Sequence, residues 1–235
     1  MNTSDKLKVV ITGAGSGIGK ALALRLAPRG YTIGILSRTA AHVEETAAAV
    51  EAVGGRPVAL VCDVTEEKQV DTAMARFASQ AGGIDVLVNN AGLGIPGAIA
   101  ETPLENWRLM VEVNATGTFL CSRAALRYML PAGHGHIINV VSQAGLRTNP
   151  VAPLYCASKF AQHGLTSGLY DQVKEKNIKV TSLNPAAVDT PYWGERPVDR
   201  SKFLKADEVA AVLDWLIHTP SHVCVTQLVM EAIGR

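Results

Sequence analysis

Tyr155 and Lys159 are the two residues whose types and spacing are best suited to acid–base chemistry. They are four residues apart in a segment with a helical pattern, so their side chains share one face of the predicted helix. A free tyrosine has a pKa of about 10, and a nearby lysine ammonium favours the phenolate and lowers that pKa. The pair is a candidate general acid or base near neutral pH, although this spacing alone is typical of an ordinary helix surface.

A glycine-rich stretch, Thr12-Gly13-Ala14-Gly15-Ser16-Gly17-Ile18-Gly19, follows the first predicted strand and leads into a helix. Glycine lets the backbone turn sharply and approach a phosphate, and a helix N-terminus offers free N–H groups to a pyrophosphate. The stretch therefore predicts a dinucleotide site, and a turn that needs glycine only for packing is the alternative. The expected contacts come from Gly13, Ser16, Gly17, Ile18 and Gly19.

The end of the second predicted strand indicates which dinucleotide binds. An acidic residue at this point would bond the adenosine ribose hydroxyls and favour NAD. The chain has Ser37-Arg38 instead, and an arginine pairs with a 2′-phosphate where no carboxylate repels it. We therefore expect NADP(H) to be preferred over NAD(H), with Arg38 as a solvated surface residue being the alternative.

The elements that must position these residues alternate along the whole chain. Short apolar runs predict strands covered on both faces, and helical patterns between them predict helices that include 41–53 and 206–218. Thr102, Pro103 and Glu105 predict a capping box at the start of a long helix. The fold is predicted to be a single-domain (residues 1–235), doubly wound, Rossmann-type α/β sheet of about seven parallel strands with helices on both faces. The predicted strands are 7–11, 31–36, 58–62, 84–88, 136–141, 178–183 and 222–230.

Composition restricts the class of protein further. Of the 235 residues 48% are apolar and 18% charged, with a net charge of +1, which excludes a disordered chain and gives no reason to expect nucleic-acid or acidic-membrane binding. No apolar run reaches membrane-helix length, and the start of the chain lacks the apolar stretch of a secretory signal, so a cytoplasmic protein is expected. The four scattered cysteines are expected to be buried thiols, and the His134/His136 pair is expected to belong to a turn, with no metal site.

Several motifs occur in the order and at the spacing of the short-chain dehydrogenase/reductase family, and the sequence resembles that family from Val9 to about Thr190. The glycine-rich stretch is the first of these motifs. The others are Asn89-Asn90-Ala91-Gly92 after the fourth strand, Asn114 in a helix, Ser142 after the fifth strand, and Tyr155-Cys156-Ala157-Ser158-Lys159.

The resemblance implies a catalytic set made of Asn114, Ser142, Tyr155 and Lys159. Tyr155 would exchange a proton with the substrate oxygen, to which Ser142 would hydrogen-bond. Lys159 would bond the nicotinamide ribose, and Asn114 would hold a water that passes protons to Lys159. The resemblance also implies cofactor contacts from Asp63, Val64, Asn89, Ala91, Gly92, Pro185, Val188 and Thr190.

The implied activity is NADP(H)-dependent hydride transfer to or from a small carbonyl or secondary alcohol, of the 3-oxoacyl-thioester or small-ketone reductase type. The alternatives are an NAD-dependent alcohol dehydrogenase of the same family and a non-catalytic NADP-binding regulator. Substrate selection is expected in 94–99, 143–154 and 192–203, the last within a substrate loop at about 185–205. In these segments Leu146, Val151, Leu154, Tyr192 and Trp193 predict a partly apolar pocket.

The sequence departs from the family pattern at two points. Pro185-Ala186 stands where the family has Pro-Gly, which matters only if the backbone there needs a positive φ. The chain ends in 230–235 with a single glycine, which favours a homodimer over the homotetramer that many relatives form.

Overall fold

The computed structural model describes residues 6–233, so Met1–Asp5 and Gly234–Arg235 of the expected single domain lie outside the described residues. Its strands are β1 (Lys8–Thr12), β2 (Thr32–Ser37), β3 (Arg56–Val61), β4 (Val86–Asn89), β5 (Gly135–Val140), β6 (Ile178–Pro185), β7 (Val188–Asp189), β8 (Leu204–Lys205) and β9 (Gln227–Met230). Seven of them form one parallel sheet in the order β3-β2-β1-β4-β5-β6-β9. The two-residue strands β7 and β8 pair with each other, also in parallel.

Helices cover both faces of this sheet. They are α1 (Gly17–Leu26), α2 (Ala40–Ala52), α3 (Glu67–Ala81), α4 (Leu104–Val111), α5 (Gly117–Ala132), α6 (Pro153–Val173) and α7 (Ala206–Ile217). In β1, Val10 packs with α3, α5 and α6, whereas Val9 and Ile11 pack with α1, α2 and α7. Because successive side chains of a strand point to opposite faces, the apolar run of β1 serves two cores at once.

The predicted doubly wound, seven-stranded fold is therefore confirmed, and most element boundaries differ from the predictions by one or two residues. The last strand differs more, because it begins at Gln227 and not at His222. The predicted capping box is wrong: Pro103 takes the N-cap position of α4 without a side-chain bond. Thr102 instead ends the preceding turn Ile99–Glu101, where its Oγ1 donates to the Ala98 carbonyl oxygen at 2.8 Å.

The helix that begins with α4 is long, as predicted, but it is not uniform. One π turn, Glu112–Thr116, joins α4 to α5 and contains Asn114. Turns of this kind are rare and are frequent at functional sites. Within residues 6–233, no helix is both long and apolar enough to cross a membrane.

The two long segments expected to hold a substrate lie after β5 and β6. The first contains a short turn, Gln143–Gly145, before α6 begins. The second contains β7, β8 and two further turns, Pro191–Trp193 and Arg200–Lys202. Both follow the carboxyl ends of strands, which is where ligands bind in open parallel sheets.

Candidate active site

A cavity of about 600 Å³ opens at the carboxyl edge of the sheet. It brings together residues from Gly13 to Trp193, which are far apart in the sequence. The structure thus places most of the predicted site residues on one surface. Those that line the cavity are Gly13, Ser16, Gly17, Ile18, Ser37, Arg38, Asp63, Val64, Ala91, Gly92, Ser142, Tyr155, Lys159, Pro185, Val188 and Thr190.

The glycine-rich turn has the geometry that a pyrophosphate needs. Gly13 and Gly17 have φ values of 65° and 52°, a region that favours glycine. A Cβ on Gly13 would lie 3.0 Å from the Ala91 backbone, so the turn lies close to the end of β4. Helix α1 begins at Gly17 with no side-chain cap and no acid in its first turn. Its first N–H groups therefore remain available to an anion, and the residues present fit a dinucleotide phosphate.

Gly19 has a different role from the one expected. It does not line the cavity, and a Cβ there would come within 2.6 Å of the Gly13 carbonyl oxygen and 2.7 Å of Asn90 Nδ2. Gly19 therefore lets α1 pack closely against the turn, which is a packing requirement and not a ligand contact.

Asn89, for which a cofactor contact is predicted, does not line the cavity, whereas its neighbour Asn90 does. Asn89 ends β4 with its side chain turned into the protein, where Nδ2 donates to Ser122 Oγ and Asn139 Oδ1. Asn90 Nδ2 donates to the Thr12 and Gly13 carbonyl oxygens and so holds the glycine-rich turn. The alternation of strand side chains is the signal that separates these two residues.

At the other end of the cavity, Arg38 is an exposed cation beside Asp63. The Arg38 guanidinium Nη1 lies 3.8 Å from Asp63 Oδ2, and the arginine side chain is 61% exposed. The other Asp63 oxygen accepts bonds from the Thr65 N–H and hydroxyl. Asp63 is thus fixed by its own turn, and Arg38 keeps donors free for a further anion.

Ser142 is positioned as a hydrogen-bond donor. Its Oγ accepts a bond from the Ala144 N–H at 3.1 Å, within the turn that follows β5. The hydroxyl hydrogen is then free to point into the cavity. A hydrogen bond from this hydroxyl favours the phenolate of Tyr155 and lowers the pKa of that tyrosine.

Tyr155 nevertheless has a pKa well above its usual value. Burial raises the pKa most, and the neighbouring Tyr192 phenol raises it further. The expectation that Lys159 lowers the pKa of Tyr155 is therefore not met, since Lys159 Nζ lies 6.0 Å from the Tyr155 ring centre and desolvation dominates. Tyr155 is protonated at neutral pH, which is the form of a general acid.

Lys159 is buried, and burial lowers its pKa to about 7. Its Nζ donates to Gln162 Oε1 at 2.7 Å and to the Val140 carbonyl oxygen at 3.3 Å. Gln162 was not singled out from the sequence. The signal available in the sequence was its spacing, since Gln162 lies three residues after Lys159 and so shares its face of α6.

Asn114 does not line the cavity, and its side chain instead hydrogen-bonds to residues next to the site. Its side chain accepts from the Leu93 N–H and donates to the Leu93 carbonyl oxygen and to Ser158 Oγ. Asn114 thus fixes the chain at residue 93 and the start of α6. The water relay expected of Asn114 stays a prediction.

The substrate end of the cavity is more polar than the sequence indicated. Of the expected apolar set, Tyr192 and Trp193 line the cavity, whereas Leu146, Val151 and Leu154 do not. Val151 is largely exposed. Other residues that line this end were not named individually from the sequence, although all but Leu93 lie within the predicted substrate segments; they are Leu93, Gln143, Ala144, Thr148, Asn149 and Ala187.

Two further sequence features have plain structural roles. Ala186 has no positive φ, so alanine in place of the family glycine causes no backbone strain. His136 Nε2 hydrogen-bonds Thr181 Oγ1, and burial lowers the pKa of His136 to about 3.

Within the described residues no cluster of side chains suits a metal ion, and all four cysteines are free thiols.

Comparison with known proteins places this site in a family. The short chain dehydrogenase family model matches residues 7–201. An uncharacterized oxidoreductase of Staphylococcus saprophyticus is 35% identical over 230 residues, which is 97% of this chain and 98% of that protein. The chain therefore belongs to the short-chain dehydrogenase family of oxidoreductases, whose fold binds a nicotinamide cofactor.

Solved structures agree in fold over nearly the whole chain. An alcohol dehydrogenase of the archaeon Thermococcus sibiricus, complexed with 5-hydroxy-NADP, has 29% identity and a TM-score of 0.88, with 97% of each chain covered. An NAD+-bound xylitol dehydrogenase has 25% identity and a TM-score of 0.89, with 98% of this chain and 100% of that chain covered. The two neighbours carry different forms of the cofactor.

Proposed function

We propose that this protein is an NADP(H)-dependent reductase of a small carbonyl compound, which it converts reversibly to a secondary alcohol. The observation that carries this proposal is the arrangement of one cavity. Ser142, Tyr155 and Lys159 line the same cavity as the glycine-rich turn and Arg38. This cavity of about 600 Å³ is the site that we propose for both cofactor and substrate.

The nicotinamide, when bound, supplies or accepts the hydride, and the chain's own residues do the rest. Ser142 donates a hydrogen bond to the carbonyl oxygen and orients it. Tyr155, which is protonated at neutral pH, gives its hydroxyl proton to the same oxygen as negative charge develops there. Lys159, whose ammonium reaches the same cavity, would hydrogen-bond the nicotinamide ribose.

Replacing Tyr155 by Phe tests this mechanism. We expect the variant to lose about 10²- to 10⁴-fold in kcat for NADPH-dependent ketone reduction, because the general acid is removed. NADPH should still raise the Tm of the variant as it does for the wild type, since binding to the native state is intact. Near wild-type turnover in Tyr155→Phe would contradict the assignment, and a wild type that binds NADPH but reduces no ketone would favour a non-catalytic regulator.

The preference for NADP(H) rests on Arg38. Its guanidinium is exposed beside the Asp63 carboxylate, and no acidic residue occupies position 37 or 38. An arginine pairs with a phosphate through charge-assisted hydrogen bonds.

We expect Arg38→Ala to raise the Kd for NADPH by about 10- to 100-fold while changing that for NADH little. Fluorescence titration of both cofactors measures this difference. Arg108→Ala, which removes an exposed arginine of α4, is the matched control. Equal weakening of both cofactors in Arg38→Ala would rule out the 2′-phosphate contact.

We further propose that the enzyme is a homodimer. Leu109, Phe119 and Phe160 are large apolar side chains that remain exposed on α4, α5 and α6. A second copy of the chain is the partner that this surface fits, because an isologous interface pairs the same patch on both subunits.

A further inference from the structure

Tyr192 places a second phenol beside the catalytic one. It lies in the turn Pro191–Trp193 and lines the cavity together with Tyr155, and the two ring centres are 6.3 Å apart. Both rings meet at Gly94. A methyl group on Gly94 would collide with the Tyr192 hydroxyl and come within 2.9 Å of Tyr155 Cδ2. The absence of a side chain at Gly94 therefore makes room for the Tyr192 hydroxyl next to the reacting position.

The Tyr192 ring is held firmly from its outer side. Arg196 donates to the Tyr192 carbonyl oxygen at 2.7 Å, and its guanidinium lies 5.0 Å from the centre of the Tyr192 ring. The neighbouring Trp193 is anchored as well, because its Nε1 donates to the Val188 carbonyl oxygen at 2.8 Å. A side chain fixed in this way is a built part of the cavity wall.

Two other polar side chains at this end of the cavity, those of Gln143 and Asn149, already hydrogen-bond to other groups of the protein. Gln143 bonds the Met230 carbonyl oxygen, Glu231 and Arg147. Asn149 Oδ1 accepts from the N–H groups of residues 151 and 152, and its Nδ2 donates to Cys156 Sγ. These amides shape the wall but have little capacity left for a substrate. The Tyr192 hydroxyl, in contrast, faces Tyr155.

The reaction changes the surroundings of the Tyr192 hydroxyl. Under the proposed function, Tyr155 turns its hydroxyl towards the substrate carbonyl oxygen, which Ser142 also binds. Tyr192 then loses the hydrogen bond from Tyr155 in a largely buried site, while Arg196 still donates to its phenol oxygen. The Tyr192 hydroxyl hydrogen then needs an acceptor, because an unpaired buried donor is costly, and a site built to bond a substrate oxygen rejects analogues that lack it.

We propose that Tyr192 is a specificity-determining residue that selects carbonyl compounds with a second oxygen on the carbon next to the carbonyl, namely 1,2-diketones and α-hydroxyketones. This inference rests on the proposed function. In the reduction of a 1,2-diketone, hydride from the nicotinamide forms the new C–H bond at one carbonyl carbon, and the Tyr155 proton goes to its oxygen. The second oxygen is unchanged and hydrogen-bonds to the Tyr192 hydroxyl.

The test compares 2,3-butanedione with 2-butanone, which differ only by that second oxygen. Because a diketone is intrinsically more reactive, the informative quantity is the change in the ratio of the two kcat/KM values on mutation. We expect Tyr192→Phe to lower this ratio by about tenfold, the effect of one hydrogen bond. The kcat/KM for 2-butanone should change less than that for 2,3-butanedione. Tyr128→Phe, on the distant face of α5, is the matched control and should leave the ratio unchanged.

Equal Tm values and equal NADPH-induced Tm shifts for the wild type and Tyr192→Phe show that the variant is folded. A ratio unchanged in Tyr192→Phe overturns the inference and leaves the proposed function intact. An equal loss for both substrates also overturns it, since Tyr192 would then act through Tyr155 and not through the second oxygen. If the wild type reduces neither substrate nor any ketone of a wider panel, the proposed function fails and the inference fails with it.

Discussion

At the scale of single residues, the charge of Lys159 depends on neutral acceptors. No carboxylate faces its ammonium among the described residues, and its partners are the oxygens of Gln162 and Val140. The orientation of the Gln162 amide follows from the bonds around it. The Thr118 hydroxyl donates to the Asn114 carbonyl oxygen at 2.8 Å, so it accepts from Gln162 Nε2 at 2.9 Å. The amide oxygen is thereby turned towards Lys159.

Gln162 therefore favours the charged form of Lys159, against the burial that lowers the pKa of this lysine to about 7. If the ammonium is needed, kcat/KM for reduction is high below that pKa and falls as the pH rises through it. Removing the acceptor with Gln162→Leu should move this fall to lower pH, by about one pH unit. Gln162→Glu should move it to higher pH, because a carboxylate stabilises the ammonium.

The pH profile of kcat/KM measures both shifts. Gln172→Leu replaces an exposed glutamine of the same helix and should leave the profile at the wild-type position. Shifts of the two Gln162 variants in the same direction would show that the residue does not act through the charge of Lys159. A purely structural role would lower Tm without moving the profile.

Residue types and spacing predicted which motifs carry the site, but not the direction of every side chain. Asn89 and Asn90 are chemically identical neighbours, and only the register of β4 decides that Asn90 faces the cavity. The pKa of Tyr155 was predicted in the wrong direction, since the spacing of Tyr155 and Lys159 says nothing about burial. The direction of the two asparagine side chains and the pKa of Tyr155 both depend on register and burial in the folded chain, which residue types and spacing do not give.

At the scale of elements, the sheet was predictable because its strands are buried on both faces. Short continuous runs of Val, Ile and Leu are typical of strands in a parallel sheet. The strands β1, β4 and β5 are accordingly almost fully buried. The capping box failed because Thr102 ends the preceding turn, where its side chain points back to the Ala98 carbonyl oxygen, and the helix begins one residue later than the motif predicts. The two-residue strands β7 and β8 are too short for any hydrophobic period to reveal.

The segment between β6 and α7 illustrates how elements determine specificity. Pairing of β7 with β8 closes this segment at its base, and the turn that carries Tyr192 projects from it over the cavity. Leu204, at the far strand of this pair, packs into the core beneath α1 and α7. The specificity residue is thus supported by the main core, although it stands on a connecting segment.

At the scale of the whole molecule, the two hydrophobic cores cover both faces of the sheet, but the outer face of α6 remains exposed. Phe160 and Ala161 are exposed there, one helical turn before Gly164. A Cβ added at Gly164 or Gly168 would meet no atom within 4 Å. Small residues along a helix allow a second helix to approach closely, which supports the proposal that a second copy covers this face.

Introducing a charge into this face tests the dimer. We expect Ala161→Glu to convert a dimer of 24.9 kDa subunits into monomers, because two carboxylates brought together at a twofold interface would be buried without partners. Light scattering coupled to size-exclusion chromatography gives the mass directly. Ala48→Glu, at an exposed alanine of α2, is the matched control and should remain dimeric. A wild type that is monomeric, or an Ala161→Glu variant that stays dimeric, would contradict an interface on α6. Loss of the dimer with retained NADPH binding would show that each subunit builds its own site.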